Sequence, residues 1–188
     1  MIVGFAGAPR AGKDTAANAL VKRHGWVKIG FSDAIVAEVA NRYRATLEAY
    51  VDEHFSQGLV TRLGYGILID RLLVTERTPW SRAFLQDHGA ARRLECPDYW
   101  VDRVAERLAN LPAGQNTAVC GVRYPNEVSC IRKAGGLMVK VVRPGIDPGP
   151  HPVEHGLDDY GAWDAILVND GTVRDLEAKV EAWVRDRT

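Results

Sequence analysis

The stretch GFAGAPRAGKDT, Gly4 to Thr15, constrains the fold of this 188-residue chain more than any other. The apolar run from Ile2 to Ala6 predicts a strand that is buried on both faces of a sheet. Residues 15–24 carry apolar side chains spaced by three and four, and Gly25 is placed to end that helix. A strand, a glycine-rich loop and a helix in this order are typical of a phosphate-binding loop.

The loop itself matches G-x-x-x-x-G-K and ends on Lys13. Its backbone N–H groups can surround phosphate oxygens, and the N-terminus of the following helix adds positive partial charge. We expect Lys13 to reach the β- and γ-phosphates of a nucleotide, and Thr15 to offer the hydroxyl for Mg²⁺ one residue later than usual. The predicted nucleotide-binding residues are Gly7, Arg10, Ala11, Gly12, Lys13, Asp14 and Thr15. The alternative is a glycine-rich turn with an exposed lysine.

Alternating apolar runs and helical patterns along the rest of the chain predict an α/β fold in three layers, a five-stranded parallel sheet with helices on both faces. The expected strands are 2–6, 26–32, 116–122, 137–143 and 165–170. The expected helices include one long helix over 34–52, a loop with a short helix over 58–76, and helices beginning near Pro79 and Pro97. The stretch PGIDPGPHP predicts a loop.

The composition excludes several classes of protein. Lys+Arg and Asp+Glu both number 24, so no overall basic charge favours a nucleic-acid or membrane partner. Three cysteines without paired spacing argue against a disulfide framework, and five histidines without ligand spacing argue against a zinc site. The N-terminal stretch resembles neither a signal peptide nor a membrane span. We therefore expect a cytoplasmic protein.

Blocks along nearly the whole chain resemble the deoxynucleoside monophosphate kinases of bacteriophages. They are GKDT, RAFLQDHGAARRLECPDYWVDRV, GVRYPNEVSCIRKAGG, HPVEHGL and VNDGTVRDLEAKV, in that order. The resemblance implies a P-loop NTPase fold, ATP as phosphoryl donor, Mg²⁺ as cofactor and deoxynucleoside monophosphates as acceptors. It further implies a single kinase domain over 1–188 in the host cytoplasm, with an acceptor-binding helical region about 33–110 and a lid-like loop about 144–160.

Phosphoryl transfer needs positive charge near the phosphate groups. Ligands of open α/β sheets bind at the carboxyl ends of the strands, so arginines in the loops at those ends are the first candidates for catalysis. The predicted catalytic set is Lys13, Arg123, Arg10 and Arg143. Arg123 follows the third strand directly, which favours a second clamp on phosphate. Asn126 and Glu127 hold a sugar hydroxyl of the acceptor, or orient Arg123, or simply begin the next helix.

The acceptor is expected to lie against the helical region. By resemblance, Ser32 and Asp33 begin the monophosphate pocket, although both residues would also cap a helix. Arginines available for the acceptor phosphate are Arg42, Arg82, Arg92 and Arg93. Because Arg92 and Arg93 are adjacent on a helix, at most one of them is expected to face the site; Arg93 is included in the predicted set, and the sequence leaves the choice between the two open. Gln86 offers a donor and an acceptor for a base edge. Trp100 or Tyr99 would stack on the base, or would belong to the core.

Three further groups complete the predicted site. Glu154, which we expect to help bind the acceptor, lies in the proline-rich loop, which suits an active-site lid. Similar kinases place the adenine of ATP against the backbone near Asn169 and Gly171. Related sequences carry an aspartate for the metal at the position of Gly121, so the predicted metal residues here are Thr15 and Asp33.

Two other functions stay open at this stage. One is a P-loop kinase for another small acceptor, such as dephospho-coenzyme A. The other is a nucleotide switch or ATPase that is no kinase, which would hydrolyse ATP regardless of a monophosphate acceptor. The sequence also leaves open whether the chain forms a homodimer.

Overall fold

The computed structural model describes residues 1–187, which form two compact units. The first unit contains residues 1–31 and 101–187, and the second is Ser32–Trp100. The helices are α1 (Lys13–His24), α2 (Phe31–Arg42), α3 (Arg44–His54), α4 (Gln57–Asp70), α5 (Pro79–Glu95), α6 (Tyr99–Ala109), α7 (Pro125–Lys133) and α8 (Val173–Arg185). A π-helical turn, Arg71–Thr75, follows α4, and a 3₁₀ turn, Pro152–Glu154, lies in the proline-rich loop.

The first unit is built on a five-stranded sheet, as predicted. Its strands are β1 (Ile2–Ala6), β2 (Val27–Gly30), β3 (Thr117–Val122), β4 (Leu137–Val142) and β5 (Ala165–Val168). They are all parallel and lie in the order β2-β3-β1-β4-β5, which puts β1 at the centre. The loops at the carboxyl ends of β1, β3 and β4 therefore meet at one edge, where ligands bind in open α/β sheets.

Helices cover both faces of this sheet. On one face, Leu20 of α1 and Leu176 of α8 are buried with Phe5 of β1. On the other face, Val104 of α6 and Ile131 of α7 are buried with residues of every strand except β5. The three-layer fold predicted from the sequence is confirmed.

The second unit is helical and has its own apolar core, with Val39, Leu47 and Leu68 fully buried. Two expectations for this part of the chain are wrong. The predicted helix over 34–52 is two helices, because Tyr43 leaves helical geometry between α2 and α3 while the apolar spacing continues through the break. The predicted loop over 58–76 is mostly helix α4, which bends at Gly64, where φ is 76°.

The second strand is shorter than predicted. It ends at Gly30, and Phe31 already begins α2, so Ser32 and Asp33 belong to the first turn of that helix. No helix within residues 1–187 is both long and apolar enough to cross a membrane.

Candidate functional site

The glycine-rich loop connects the central strand β1 to helix α1. Gly7 has a φ of 146°, and a Cβ there would collide with the backbone oxygen of Val141, so no larger residue fits. Gly12 caps α1 with a φ of 106°, another conformation that L-residues avoid. The loop therefore passes close to β4 and turns sharply into the helix, which leaves the first backbone N–H groups of α1 directed out of its N-terminus.

A cavity of about 420 Å³ lies beside this loop. Its walls include the predicted residues Arg10, Gly12, Lys13, Asp14, Thr15, Arg143, Asn169 and Gly171. The Nζ of Lys13, a buried residue, donates to the carbonyl of Ala8, 3.4 Å away, so the side chain folds back over the loop. The structure thus brings most of the residues predicted to hold the donor nucleotide to one cavity, while Gly7 and Ala11 line a second one.

The far wall of this cavity is tied directly to the loop. The Nδ2 of Asn169 donates to the carbonyl oxygen of Ala11 at 2.9 Å, and its backbone N–H donates to Val142. Thr172 caps α8, and Thr172 and Val173 also line the cavity. Asn169 therefore supports the loop as well as lining the cavity, a role that the sequence analysis missed.

Asp14, predicted to bind the nucleotide, and the predicted metal residues Thr15 and Asp33 have different surroundings. Asp14 is exposed and pairs with Lys28 at 2.9 Å, so its carboxylate is directed toward β2. Thr15 lines the cavity. Asp33 lies exposed in the first turn of α2, directly after β2 in the chain.

Gly121, where related sequences were expected to carry an aspartate, lies in a bulge of β3. Phe5 pairs with Cys120 and Ala6 pairs with Val122, which leaves Gly121 as the extra residue of a bulge. Its φ is 73°, a left-handed conformation, and nothing lies within 4 Å of the position that a Cβ would take. A side chain at this position would meet open space, and its cost would come from the backbone alone.

Arg123 follows β3 and is fixed by its neighbours. The carboxylate of Glu127 accepts from the backbone N–H of Arg123 at 2.6 Å and from that of Tyr124 at 3.3 Å. Glu127 is fully buried. The prediction that Glu127 binds the acceptor is therefore wrong, because its carboxylate is inaccessible and satisfies the backbone at the start of α7. Asn126 is half-buried, and its Oδ1 accepts from the N–H of Glu127.

A second cavity, of about 170 Å³, also borders the loop. Gly7 and Ala8 line it together with Arg123, Arg143 and Glu154. The guanidinium of Arg123 forms an ion pair with the carboxylate of Glu154. Lys140 and Trp163, which no sequence motif indicated, also line this cavity, and the Nζ of Lys140 lies 5.6 Å from the centre of the Trp163 ring.

Internal hydrogen bonds order the proline-rich loop. His155 contacts the Asp158 carboxylate through Nδ1 and the Gly149 carbonyl through Nε2, both at 2.8 Å. These contacts, the one with Asp158 above all, raise the pKa of His155, because both partners accept hydrogen bonds and so stabilise the protonated ring. The imidazolium form therefore suits this loop best.

The helical unit carries the residues predicted for the acceptor. Arg82, Gln86 and Arg93 are four and seven residues apart on α5 and share one face of that helix. Arg42 is at the exposed end of α2, beside Tyr43. Ser32 is half-buried at the start of the same helix.

Glu38 organises the interior of the helical unit. It accepts from the Tyr99 hydroxyl at 2.6 Å, from Arg92 Nε at 2.7 Å and from His88 Nε2 at 3.0 Å. Burial acts to raise the pKa of Glu38, but the hydrogen bonds from Tyr99, Arg92 and His88 together outweigh burial and lower the pKa to about 2. Arg92 is thus committed to this cluster, whereas Arg93 lies on the face of Gln86.

The prediction that Trp100 stacks on a base is wrong. Its side chain is fully buried, and its indole N–H donates to the carbonyl of Gly89 at 3.0 Å. Gly89 in turn leaves room for Ile35, which lies 3.1 Å from the position of a Cβ. Trp100 therefore joins α5 to the start of α6. Tyr99, the alternative, uses its hydroxyl on Glu38.

Comparisons with known proteins agree with this fold. No family model matches the chain. A protein of Acanthamoeba polyphaga mimivirus whose name proposes it as a deoxynucleotide monophosphate kinase is 23% identical over 183 residues, which cover 96% of this chain and 94% of that protein. An uncharacterized protein of Ictalurid herpesvirus 1 (strain Auburn), ORF76, is 27% identical over 194 residues, which cover 98% of this chain and 67% of that protein.

Among solved structures, the unliganded crystal structure of a sugar kinase from Janibacter sp. HTCC2649 has a TM-score of 0.52 and 15% identity. The match covers 98% of this chain and 94% of that one. At this identity the likeness concerns the fold alone. The three-layer fold, the glycine-rich loop and the viral relative support a P-loop kinase.

Proposed function

We propose that this protein is a kinase that transfers the γ-phosphoryl group of ATP to deoxynucleoside 5′-monophosphates and releases the diphosphates. The observation that carries the proposal is the cavity at the glycine-rich loop, where Lys13, Arg10 and Arg143 face one space beside the N-terminus of α1. Helix N-termini and arginines at strand ends bind phosphate groups. The mimivirus relative supports the choice of acceptor.

The charges around the loop favour an acceptor that is itself an anion. Arg123, Lys140 and Arg143 line the second cavity, which shares Arg143 with the cavity beside Lys13. A phosphate monoester is largely doubly ionised at pH 7, so its oxygen can attack the γ-phosphorus without a general base. The new P–O bond forms as the bond between the γ-phosphorus and the β–γ bridging oxygen breaks, and ADP leaves with the electron pair.

In this reaction the side chains supply charge and position. Lys13 neutralises the β- and γ-phosphates, and Arg10 and Arg143 bind oxygens of the donor. Arg123 stabilises the charge on the group in transit. Arg82, Gln86 and Arg93 hold the acceptor, together with Ser32, Asp33, Arg42 and Asn126.

Magnesium fits the residues that surround this loop. Within residues 1–187, no group of three or more His, Cys, Asp or Glu side chains is arranged as a metal site. Mg²⁺ at nucleotide sites, however, takes only one or two protein oxygens and otherwise binds water and phosphates. The Thr15 hydroxyl at the cavity wall offers one such oxygen. When bound, the ion neutralises charge on the nucleotide phosphates.

An acceptor screen tests the proposal. Purified protein with ATP and Mg²⁺ is given dTMP, dGMP, dCMP, dAMP, the four matching ribonucleotides, or dephospho-coenzyme A, and ADP release is followed by a coupled assay. We expect ADP release to depend on a deoxynucleoside monophosphate, and the diphosphate to appear by chromatography. Release that ignores every monophosphate would indicate an ATPase, and release only with dephospho-coenzyme A would replace the acceptor class.

A further inference from the structure

The proline-rich loop between β4 and β5 is attached to Arg123. A Cβ at Gly156 would collide with the backbone oxygen of Arg123, so the loop passes directly over that residue. The carboxylate of Glu154, two residues earlier, pairs with the Arg123 guanidinium. Arg132 fixes the far end of the segment through the Ala162 carbonyl at 2.7 Å and the Asp164 carboxylate at 2.6 Å. The loop is thus held near its middle and at its far end.

The ion pair between Glu154 and Arg123 is largely withdrawn from water. The side chain of Glu154 is 5% exposed and that of Arg123 is 19% exposed. Burying such a pair costs desolvation free energy that the attraction between the charges offsets only in good geometry, and apolar residues of similar volume often stabilise a fold equally well. Packing alone therefore gives little reason for an acid at position 154.

Both partners lie beside the phosphate-binding loop. The cavity that they line is bounded by Gly7 and Ala8 of that loop, and Lys140 and Arg143 add two further cations. The other carboxylate of this cavity, Asp158, is exposed and hydrogen-bonded to His155. Glu154 is thus a buried anion among three cations at the place where the transferred group would pass.

We propose that Glu154 is a positioning residue for phosphoryl transfer, and that it acts by holding the guanidinium of Arg123 at the edge of the loop. The proposal rests on the kinase function given above. Arg123 is then fixed at three points: its N–H by Glu127, its carbonyl region by Gly156, and its guanidinium by Glu154. A guanidinium has five donors in a planar fork, so one group can bridge a carboxylate and a phosphoryl oxygen.

This arrangement has two consequences of opposite sign. The fixed geometry accelerates transfer, because small displacements of a catalytic group are costly to rate. The negative charge of Glu154 also weakens the attraction of the site for anions in the ground state. Removing the charge while keeping the shape should therefore slow turnover and tighten anion binding together. A residue with a merely structural role would not produce that combination.

Glu154→Gln tests both consequences. We expect kcat with the best monophosphate to fall about ten- to a hundredfold, and the Kd for inorganic pyrophosphate, measured by titration calorimetry, to fall about three- to tenfold. Glu154→Asp keeps the charge and should recover part of kcat. Asp159→Asn makes the same charge change at an exposed position of the same loop and should leave both quantities unchanged.

A double-mutant cycle decides whether Glu154 acts through Arg123. In an Arg123→Ala background, Glu154→Gln should change kcat no further. Wild-type kcat in Glu154→Gln, or the same fold loss with and without Arg123, would overturn the proposal. If the wild-type protein phosphorylates no monophosphate, the kinase function has failed. The pyrophosphate titrations then still decide whether Glu154 sets the charge at Arg123, and an unchanged Kd in Glu154→Gln would reject that too.

Discussion

The two units of this protein each contain a partly buried carboxylate paired with arginine, and the two pairs are built differently. Glu38 in the helical unit accepts from three side chains, Tyr99, Arg92 and His88, which lie on α5 and α6. Glu154 in the sheet unit lies on a loop and pairs with Arg123. The first arrangement joins helices to one another, whereas the second joins a loop to a strand end beside a phosphate-binding loop.

We infer from this difference that the charges of the Glu38 cluster stabilise the fold, whereas the charges of the Glu154–Arg123 pair serve the reaction. A carboxylate with three donors on regular helices loses several hydrogen bonds at once when any partner moves, so the Glu38 cluster resists rearrangement. The carboxylate of Glu154 instead holds a single arginine beside the phosphate-binding loop, where a small displacement is costly to rate. Variants in the helical cluster should therefore change stability with little change in rate, and variants around the glycine-rich loop should do the reverse.

The largest effect is expected from Lys13→Met. Methionine keeps the unbranched apolar stem of the lysine side chain but removes the charge that would face the phosphates, so kcat should fall by about two orders of magnitude or more. Thermal unfolding should occur within a few degrees of wild type. Lys22→Met, at an exposed position in the last turn of the same helix, is the matched control and should keep full activity. Near-normal turnover in Lys13→Met would remove the phosphate-binding assignment of the loop.

The residues of the loop were predictable because the signal is local. Gly7 and Gly12 are required by backbone geometry that a strand, a tight loop and a helix always impose, and the sequence between them is only four residues long. The five strands were predictable for a similar reason, since buried parallel strands read as short apolar runs.

The two ion-pair systems were not predictable from the sequence. Glu38 meets His88, Arg92 and Tyr99 across 50 to 61 residues of chain, and no local pattern encodes such contacts. The burial of Trp100 was missed because an aromatic residue at helical spacing fits a core and a base platform equally well. The break at Tyr43 was missed because the apolar period of α2 continues into α3.

The second largest effect concerns acid stability of the helical unit. The pKa of Glu38 is lowered from its ordinary 4.5 to about 2, so the ionised cluster stabilises the fold fully above about pH 4.5. That stabilisation is lost as the pH falls toward 2. Glu38→Gln should lower the free energy of unfolding at pH 7 by about 2 kcal/mol, since it weakens charge-assisted hydrogen bonds.

Urea unfolding between pH 2 and 7 measures this effect. The difference between wild type and Glu38→Gln should shrink as the pH falls, and kcat of the variant at pH 7 should stay close to wild type. Glu95→Gln, an exposed partner of Arg92, is the control and should change the curve little. A constant difference at every pH would mean that the charge of Glu38 is not what stabilises the helices.

The next effect compares two adjacent arginines of α5. Arg93 shares a face with Arg82 and Gln86, so Arg93→Ala should raise KM for the monophosphate about tenfold, as expected for the loss of a charge-assisted hydrogen bond. Arg92→Ala should instead lower the melting temperature and leave KM nearly unchanged, because Arg92 pairs with Glu38. Steady-state kinetics and thermal unfolding of both variants provide the measurement. The reverse pattern would mean that the acceptor binds to the face of α5 that carries Arg92.

The smallest effect is expected at the metal. Gly121 lies at a bulge near the end of β3 with open space around it, so Gly121→Asp can place a carboxylate there at a backbone cost of about 1 kcal/mol. An added carboxylate should lower the Mg²⁺ concentration for half-maximal rate about two- to threefold, because Mg²⁺ favours carboxylate oxygens. Gly121→Asn carries the same backbone cost without the charge and should not shift the curve.

Asp33→Asn completes the metal experiment from the other direction. If Asp33 supports the metal, as the sequence predicts, its loss should raise the Mg²⁺ concentration for half-maximal rate, and Gly121→Asp should restore part of that loss in the double variant. Asp14→Asn is the comparison, since Asp14 already pairs with Lys28. The titrations are carried out at saturating ATP and monophosphate, so that only metal binding limits the rate. An unmoved curve in Asp33→Asn would leave Asp33 as an acid in the first turn of α2, where it interacts favourably with the helix dipole and serves no metal.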